Sequence, residues 1–266
     1  MLPRPSSFAR RSNPQIPAIL IRVRFRVAIL VLASAAALAQ SPSGQQPAAP
    51  EVQPPPAATS PVQAAPPPAP IGVVVIDPAH GGADPGARGA AGILEKDVVL
   101  HFALLLRDHL QRQGLRVVLT RQGPDGASLD DRAALANSYR SAIFVSLHVA
   151  STGRVETARC YFDSLPAAPQ DSAPGALLLW DMAQQPYADA SRRLASLVQA
   201  QLKQRFPHSP AEPAAVPVRP LRNVAAPAVA VEVSSVSAAS REPLDRMAVP
   251  LADAIARAVS AFRGGR

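Results

Sequence analysis

The chain has one cysteine, Cys160, in 266 residues. No intrachain disulfide can form, and a cysteine-ligated zinc site is excluded. Aromatic residues are few, and none interleave with basic clusters. The high pI, near 10.8, therefore makes no case for nucleic-acid binding. Much of the positive charge is local. Arg4, Arg10, Arg11, Arg22, Arg24 and Arg26 fall within residues 1–39, a stretch with no Asp or Glu. The N-terminal apolar run, Val27–Leu38, is well short of the ~20 residues a membrane-spanning helix needs. There is no internal repeat.

Proline, by contrast, is abundant and unevenly spread. Residues 1–39 read as an export signal. Arginines precede the apolar run, and Ala37-Leu38-Ala39 offers a small-x-small cleavage site. If left uncleaved, the same segment would serve as a membrane anchor. Residues 40–70 are rich in proline, alanine, glutamine and serine and too poor in apolar bulk to fold. They are expected to form an extended linker, with a reach on the order of 90 Å in polyproline II. Residues 71–266 carry the globular pattern. The expected location is the periplasm or cell envelope.

The folded part is organised around Val73 to Ala87. Val73 to Ile76 is a continuous β-branched run, the pattern of a strand covered on both faces. Asp77-Pro78 ends it, and Gly81-Gly82 opens a loop. His80 thus stands just past the carboxyl end of a central strand, where open α/β sheets bind ligands. The pattern then alternates. Glu95 to Gln113 has a helical apolar stripe stopped by Gly114, and Val117 to Leu119 reads as a strand. Ser128 with Asp131 forms a capping box for a helix to about Ser138. Ile143 to Leu147 is a strand leading to His148, and Arg159 to Phe162 is a fourth. Ala188 to Phe206 is helical, Pro207 to Pro220 a proline-rich connection, Ala228 to Val233 a strand, and Met247 to Phe262 the last helix. The order implies a single α/β domain, a mostly parallel twisted sheet flanked by helices.

Two imidazoles and one carboxylate at such positions suit Zn²⁺, with a fourth coordination position left open. His80, Glu95 and His148 fit the ligand roles, and Glu232 fits a general base. Glu232 interrupts an apolar strand and needs a partner there. Arg222 is the candidate partner, or else a substrate-binding residue.

The motifs Asp77-Pro-Ala-His-Gly-Gly-Ala-Asp-Pro-Gly86, Gly92-Ile-Leu-Glu-Lys-Asp97, Thr120-Arg121, Leu129-x-x-Arg132, Ala136-Asn137, Ser146-Leu-His148 and Pro227-Ala-Val-Ala-Val-Glu-Val233 occur in that order. Together they resemble the zinc-dependent N-acetylmuramoyl-L-alanine amidases of the cell-wall hydrolase type. The resemblance implies one zinc per chain on His80, Glu95 and His148, with Glu232 catalytic. It implies peptidoglycan as substrate, with hydrolysis of the amide joining N-acetylmuramic acid to L-alanine of the stem peptide. A monomer is expected, and no activator protein is named by the sequence.

Departures from that pattern are Ala79 for a glycine, Val149-Ala150 after the second histidine, and Ser234-Ser235 after the glutamate. Were position 79 to need positive φ, alanine would cost roughly 1 kcal/mol. These changes motivate one alternative, a non-catalytic peptidoglycan-binding module on the same fold; a zinc carboxypeptidase acting on wall peptides is the other. Arg121 and Arg132 are expected to tether loops.

Overall fold

The computed structural model describes residues 72–165 and 180–265. The expected signal segment and linker, Ile71, residues 166–179 and Arg266 lie outside the described residues. Within them the elements run β1 (Val73–Pro78), α1 (Glu95–Arg112), β2 (Arg116–Leu119), α2 (Leu129–Asn137), β3 (Ala142–Val149), β4 (Thr157–Asp163), α3 (Ala188–Arg205), β5 (Ala214–Val216), α4 (Arg219–Arg222), β6 (Ala228–Ser234) and α5 (Glu242–Gly264). They form one six-stranded sheet in the order β2-β1-β3-β6-β4-β5.

The expected α/β sheet is present and mostly parallel, with β4 antiparallel to β6. The chain leaves β1 for β2 on one side and then crosses to β3 on the other. That reversal opens a crevice at the carboxyl ends of β1 and β3. Helix α2 begins where its capping box places it: Ser128 accepts from the Asp131 backbone, and the Asp131 side chain accepts from Ser128.

Alternate residues of each strand build two separate cores. One face, with Val74, Ile76, Ile143, Val145, Val229 and Val231, packs under α1, α3 and α5. The other, with Val73, Val75, Phe144, Ala228 and Ala230, packs under the shorter α2 and α4. On this second face the last residues of each strand turn polar: Asp77 on β1, Ser146 and His148 on β3, Glu232 and Ser234 on β6. The thin helical cover leaves His148, Glu232 and Ser234 partly exposed to a groove, with Asp77 and Ser146 buried behind them.

Two elements differ from the sequence reading. The proline-rich connection contains β5, an edge strand between Pro213 and Pro217, a position where proline disrupts no central ladder. Helix α5 begins at Glu242 rather than Met247. Pro243 sits in its first turn, where no intrahelical donor is needed. Phe144 is fully buried on the thinly covered face. Phe144→Ala is expected to destabilise the domain by about 3–5 kcal/mol, measured by denaturant unfolding with an unchanged m-value.

Candidate active site

Strand β1 ends in a clamp. Asp77, 1% exposed, accepts hydrogen bonds from Thr120 Oγ1 (2.6 Å) and Ser146 Oγ (2.8 Å) and pairs with the buried Arg132 guanidinium. Arg132 also donates to the carbonyls of Pro78 (2.9 Å), His80 (2.6 Å) and Ala127 (2.9 Å). Arg121 donates to the carbonyls of Pro78 (2.8 Å), Ala79 (3.0 Å), Gly123 (2.8 Å) and Lys96 (2.8 Å). Both arginines tether loops, as the sequence suggested. Together they satisfy carbonyls that the end of the strand leaves without partners.

The clamp sets His80 at φ +62°, a conformation few residues other than glycine adopt. The positive φ falls on His80 and not on Ala79. The alanine there carries no backbone penalty, and its side chain is buried.

Glu95, at the start of α1, is 4% exposed. Its Oε2 accepts from the Ala87 N–H (2.8 Å) and faces His80 Nε2 (3.2 Å). Its Oε1 accepts from the Val149 N–H (2.9 Å) and faces His148 Nδ1 (3.1 Å). The Val149 backbone therefore orients this carboxylate, while its side chain packs in the core.

Each imidazole has a second contact on its far nitrogen. His80 Nδ1 lies 2.7 Å from Asp84 Oδ2. His148 Nε2 lies 3.2 Å from Ser146 Oγ, whose own proton goes to Asp77. Without an ion the near nitrogens face Glu95 as hydrogen-bond donors; with one, a proton on each far nitrogen would free both near lone pairs for it. One ligand atom from each of His80, Glu95 and His148 lies within 4.8 Å of the others, so the three could hold a single ion. The donor set, two imidazoles and a carboxylate already oriented by backbone N–H groups, fits zinc.

Electrostatics follow from this packing. The hydrogen bond to Glu95 raises the His80 pKa from 6.5 to about 9; burial opposes the shift and Asp84 assists it. Burial pushes the Glu95 pKa up, but hydrogen bonds from His148, His80, Ala87 and Val149 outweigh it and hold the group well below the usual carboxylate range. His80 likewise lowers Asp84.

Glu232 on β6 is in register with His148 on β3. Its Oε1 accepts from Tyr161 Oη at 3.0 Å. Burial, followed by the Glu232 charge, raises the Tyr161 pKa. Arg222 is not the partner of Glu232. Its Nε lies 3.9 Å from Asp163, in a different cleft with Asp130, Asp181 and Asn223. A cleft of about 380 Å³ lies between His148, Glu232 and Tyr161 on one side and the Val216–Pro220 segment on the other.

The sequence reading missed several residues that build the site. Asp77, Asp84 and Ser146 lie inside the quoted motifs; Asp77 and Ser146 are polar members of their strand ends, and Asp84 lies in the loop after β1. Tyr161 had no local signal: only the antiparallel pairing of β4 with β6 sets it beside Glu232.

The model of the family described as N-acetylmuramoyl-L-alanine amidase matches residues 74–261, the whole span of sheet, clamp and cluster. The chain belongs to this amidase family. It is 43% identical over 82 residues to the sporulation-specific N-acetylmuramoyl-L-alanine amidase of Bacillus subtilis, covering 30% of this chain and 32% of that protein. It is 43% identical over 76 residues to the amidase AmiA of Escherichia coli, covering 29% and 26%. The chain thus spans about a third or less of these curated relatives. Among solved structures, the amidase AmiC2 of Nostoc punctiforme superposes with a TM-score of 0.55 at 26% identity, over 71% of this chain and 96% of that one.

Two outcomes follow from the amidase-family cluster. His80 is raised from 6.5 to about 9, so its contribution to metal-free stability is complete below 6.5 and lost as pH rises through 9. Glu95 is lowered from 4.5, so its contribution is present above 4.5 and lost on acidification. Melting of chelator-treated protein should fall between pH 6.5 and 9, and His80→Gln should flatten that limb. A Cβ at Gly86, which has φ +65°, would lie 2.5 Å from Glu95 Oε2 and 2.6 Å from His80 Cδ2. Gly86→Ala should separate the pair and return the His80 imidazole toward 6.5 in an NMR titration.

Proposed function

We propose that residues 71–266 form a peptidoglycan amidase domain that hydrolyses the amide between N-acetylmuramic acid and L-alanine of the stem peptide. The observation that carries this reading is the His80–Glu95–His148 cluster with Glu232 across the β3–β6 ladder from His148. Membership of the amidase family supports it. One zinc ion would be held by His80, Glu95 and His148. When bound, it would supply Lewis-acid polarisation of an amide carbonyl and lower the pKa of a water molecule.

The protein's own groups do the remaining work. Tyr161 holds Oε1 of Glu232 and so fixes the carboxylate's direction toward the cleft shared with His148. Glu232 can then take a proton from the attacking water and pass it to the departing amine nitrogen. Asp84 and Ser146 keep the histidine rings oriented. The clamp of Arg121 and Arg132 holds His80 in place through its backbone. The departures after His148 and Glu232 leave this machinery complete. Val149 contributes through its N–H, and Ser235 Oγ donates to the Gly153 carbonyl at 3.1 Å, bracing the loop after β6.

Residues 1–39 would direct export or anchor the chain, and residues 40–70 would let the domain reach the wall. A monomer acting in the periplasm or envelope completes the proposal.

Mass spectrometry of digested sacculi and metal analysis test it. The protein should carry about one zinc and release stem peptides. Chelation should abolish release, and added zinc should restore it. Glu232→Gln should keep its zinc and lose about 10²- to 10⁴-fold in kcat. Undiminished lysis by that variant would remove the proposed base. Cleavage within free peptides alone would favour a zinc carboxypeptidase, and binding to sacculi without cleavage by either protein a binding module.

A further inference from the structure

Beyond Glu232, on the side away from His148, the groove continues into a second cleft of about 300 Å³. Strand register builds it. Arg159 on β4 lies directly across the ladder from Glu232, and Tyr161 across from Ala230, so both share the face of Glu232. Arg154, from the loop before β4, and His208, from the loop after α3, complete the walls. Glu232 and Tyr161 are shared with the cleft at His148 and form the partition between the two.

The outer wall is held in place. β5 pairs with β4 only from Tyr161 to Asp163, which leaves the Ala158 and Cys160 N–H groups without a strand partner on that side. Ser209 Oγ accepts from Ala158 (2.9 Å) and Gln199 Oε1 from Cys160 (2.7 Å); both side chains are buried. Gln199 Nε2 also donates to the Pro210 carbonyl (2.8 Å). The loop carrying His208 is thereby tied to β4 at Ser209 and to α3 at Pro210, both directly after that residue.

The cleft carries two guanidinium groups against one carboxylate, Glu232. Arg154 and Arg159 make no ion pair among the described residues. Nearby Glu156 is engaged by Arg246 at 3.2 Å, and Glu232 by Tyr161. In the cleft on the opposite flank, at His80, Asp77 faces Arg132 and Asp84 faces His80, and Arg219 is its one exposed guanidinium. The cleft beyond Glu232 thus offers two guanidinium groups without an ion pair among the described residues, against one on the opposite flank.

We propose that the Arg154–Arg159 cleft is the subsite for a carboxylate on the peptide arm of the substrate, with Arg159 as the principal contact. This rests on the amidase reading, in which the scissile amide sits between His148 and Glu232 with its two arms on opposite sides. The arm rich in carboxylates takes the cationic side, where guanidinium groups can bind a carboxylate through two parallel hydrogen bonds. The assignment replaces Arg222, which faces Asp163 in another cleft.

The test uses the full chain with zinc and two soluble N-acetylmuramoyl-peptides, one with free carboxyl groups and one with those groups amidated. Arg159→Gln should raise KM for the free-acid substrate on the order of tenfold, with kcat little changed. The amidated substrate should show a high KM with the parent protein and no further rise with the variant. Arg154→Gln should give a smaller shift in the same direction. Arg219→Gln tests the competing guanidinium, since Arg219 is exposed over the His80 and His148 clefts. Zinc content and melting temperature should be unchanged throughout. An equal KM for both substrates in parent and variant overturns the subsite while leaving the amidase reading intact. Substrate discrimination lost in Arg219→Gln and kept in Arg159→Gln overturns it likewise. If the parent cleaves neither substrate but Arg159→Gln abolishes saturable binding of the free-acid compound, the amidase reading fails and the carboxylate subsite stands; absence of such binding overturns both.

Discussion

Everything near the proposed zinc cluster depends on the buried contact of Arg132 with Asp77. A charged pair in a protein interior is stabilising only when its remaining hydrogen-bonding capacity is also satisfied. Here it is: Thr120 and Ser146 complete the carboxylate, and the Pro78, His80 and Ala127 carbonyls complete the guanidinium. The same contact ends β1, turns the chain outward and holds His80 in a conformation it would rarely adopt alone. It also reaches His148, because the Ser146 hydroxyl that satisfies Asp77 meets the far nitrogen of that ring.

The site is a change of chemistry along one face of the sheet. Residues of β1, β3 and β6 on that face begin apolar, under α2 and α4, and end polar. The opposite face stays apolar to the strand ends under three long helices. Asymmetric cover explains how the groups stay accessible without weakening the larger core. Glu95 comes from the heavily covered side, at the start of α1, and reaches its two histidines at the sheet's edge. The amidase-family match spans this fold, and the clefts continue along the same open face.

Much of this was legible in the residues alone. The β-branched run ending at Asp77-Pro78, the capping box at Ser128 and the apolar stripes of α1 and α3 are local signals, because hydrophobic period and cap chemistry act over a few positions. His80, Glu95, His148 and Glu232 were legible as strand-end and helix-start polar residues in an apolar background, reinforced by the motifs around them. Pro213, Pro217 and Pro243 concealed β5 and the start of α5, since proline breaks an element only where its missing donor is needed.

What the sequence by itself determined was which residues carry chemistry and which element each ends or begins. It could not determine their partners. The pairing of Glu232 with Tyr161 rather than Arg222, the location of positive φ at His80 rather than Ala79, and the alignment of Arg159 with Glu232 were decided by tertiary structure. Strand register and chain reversal bring together positions as much as 84 residues apart, as for His148 and Glu232. No local propensity encodes that neighbourhood, because it exists only once the whole sheet has closed around its two cores.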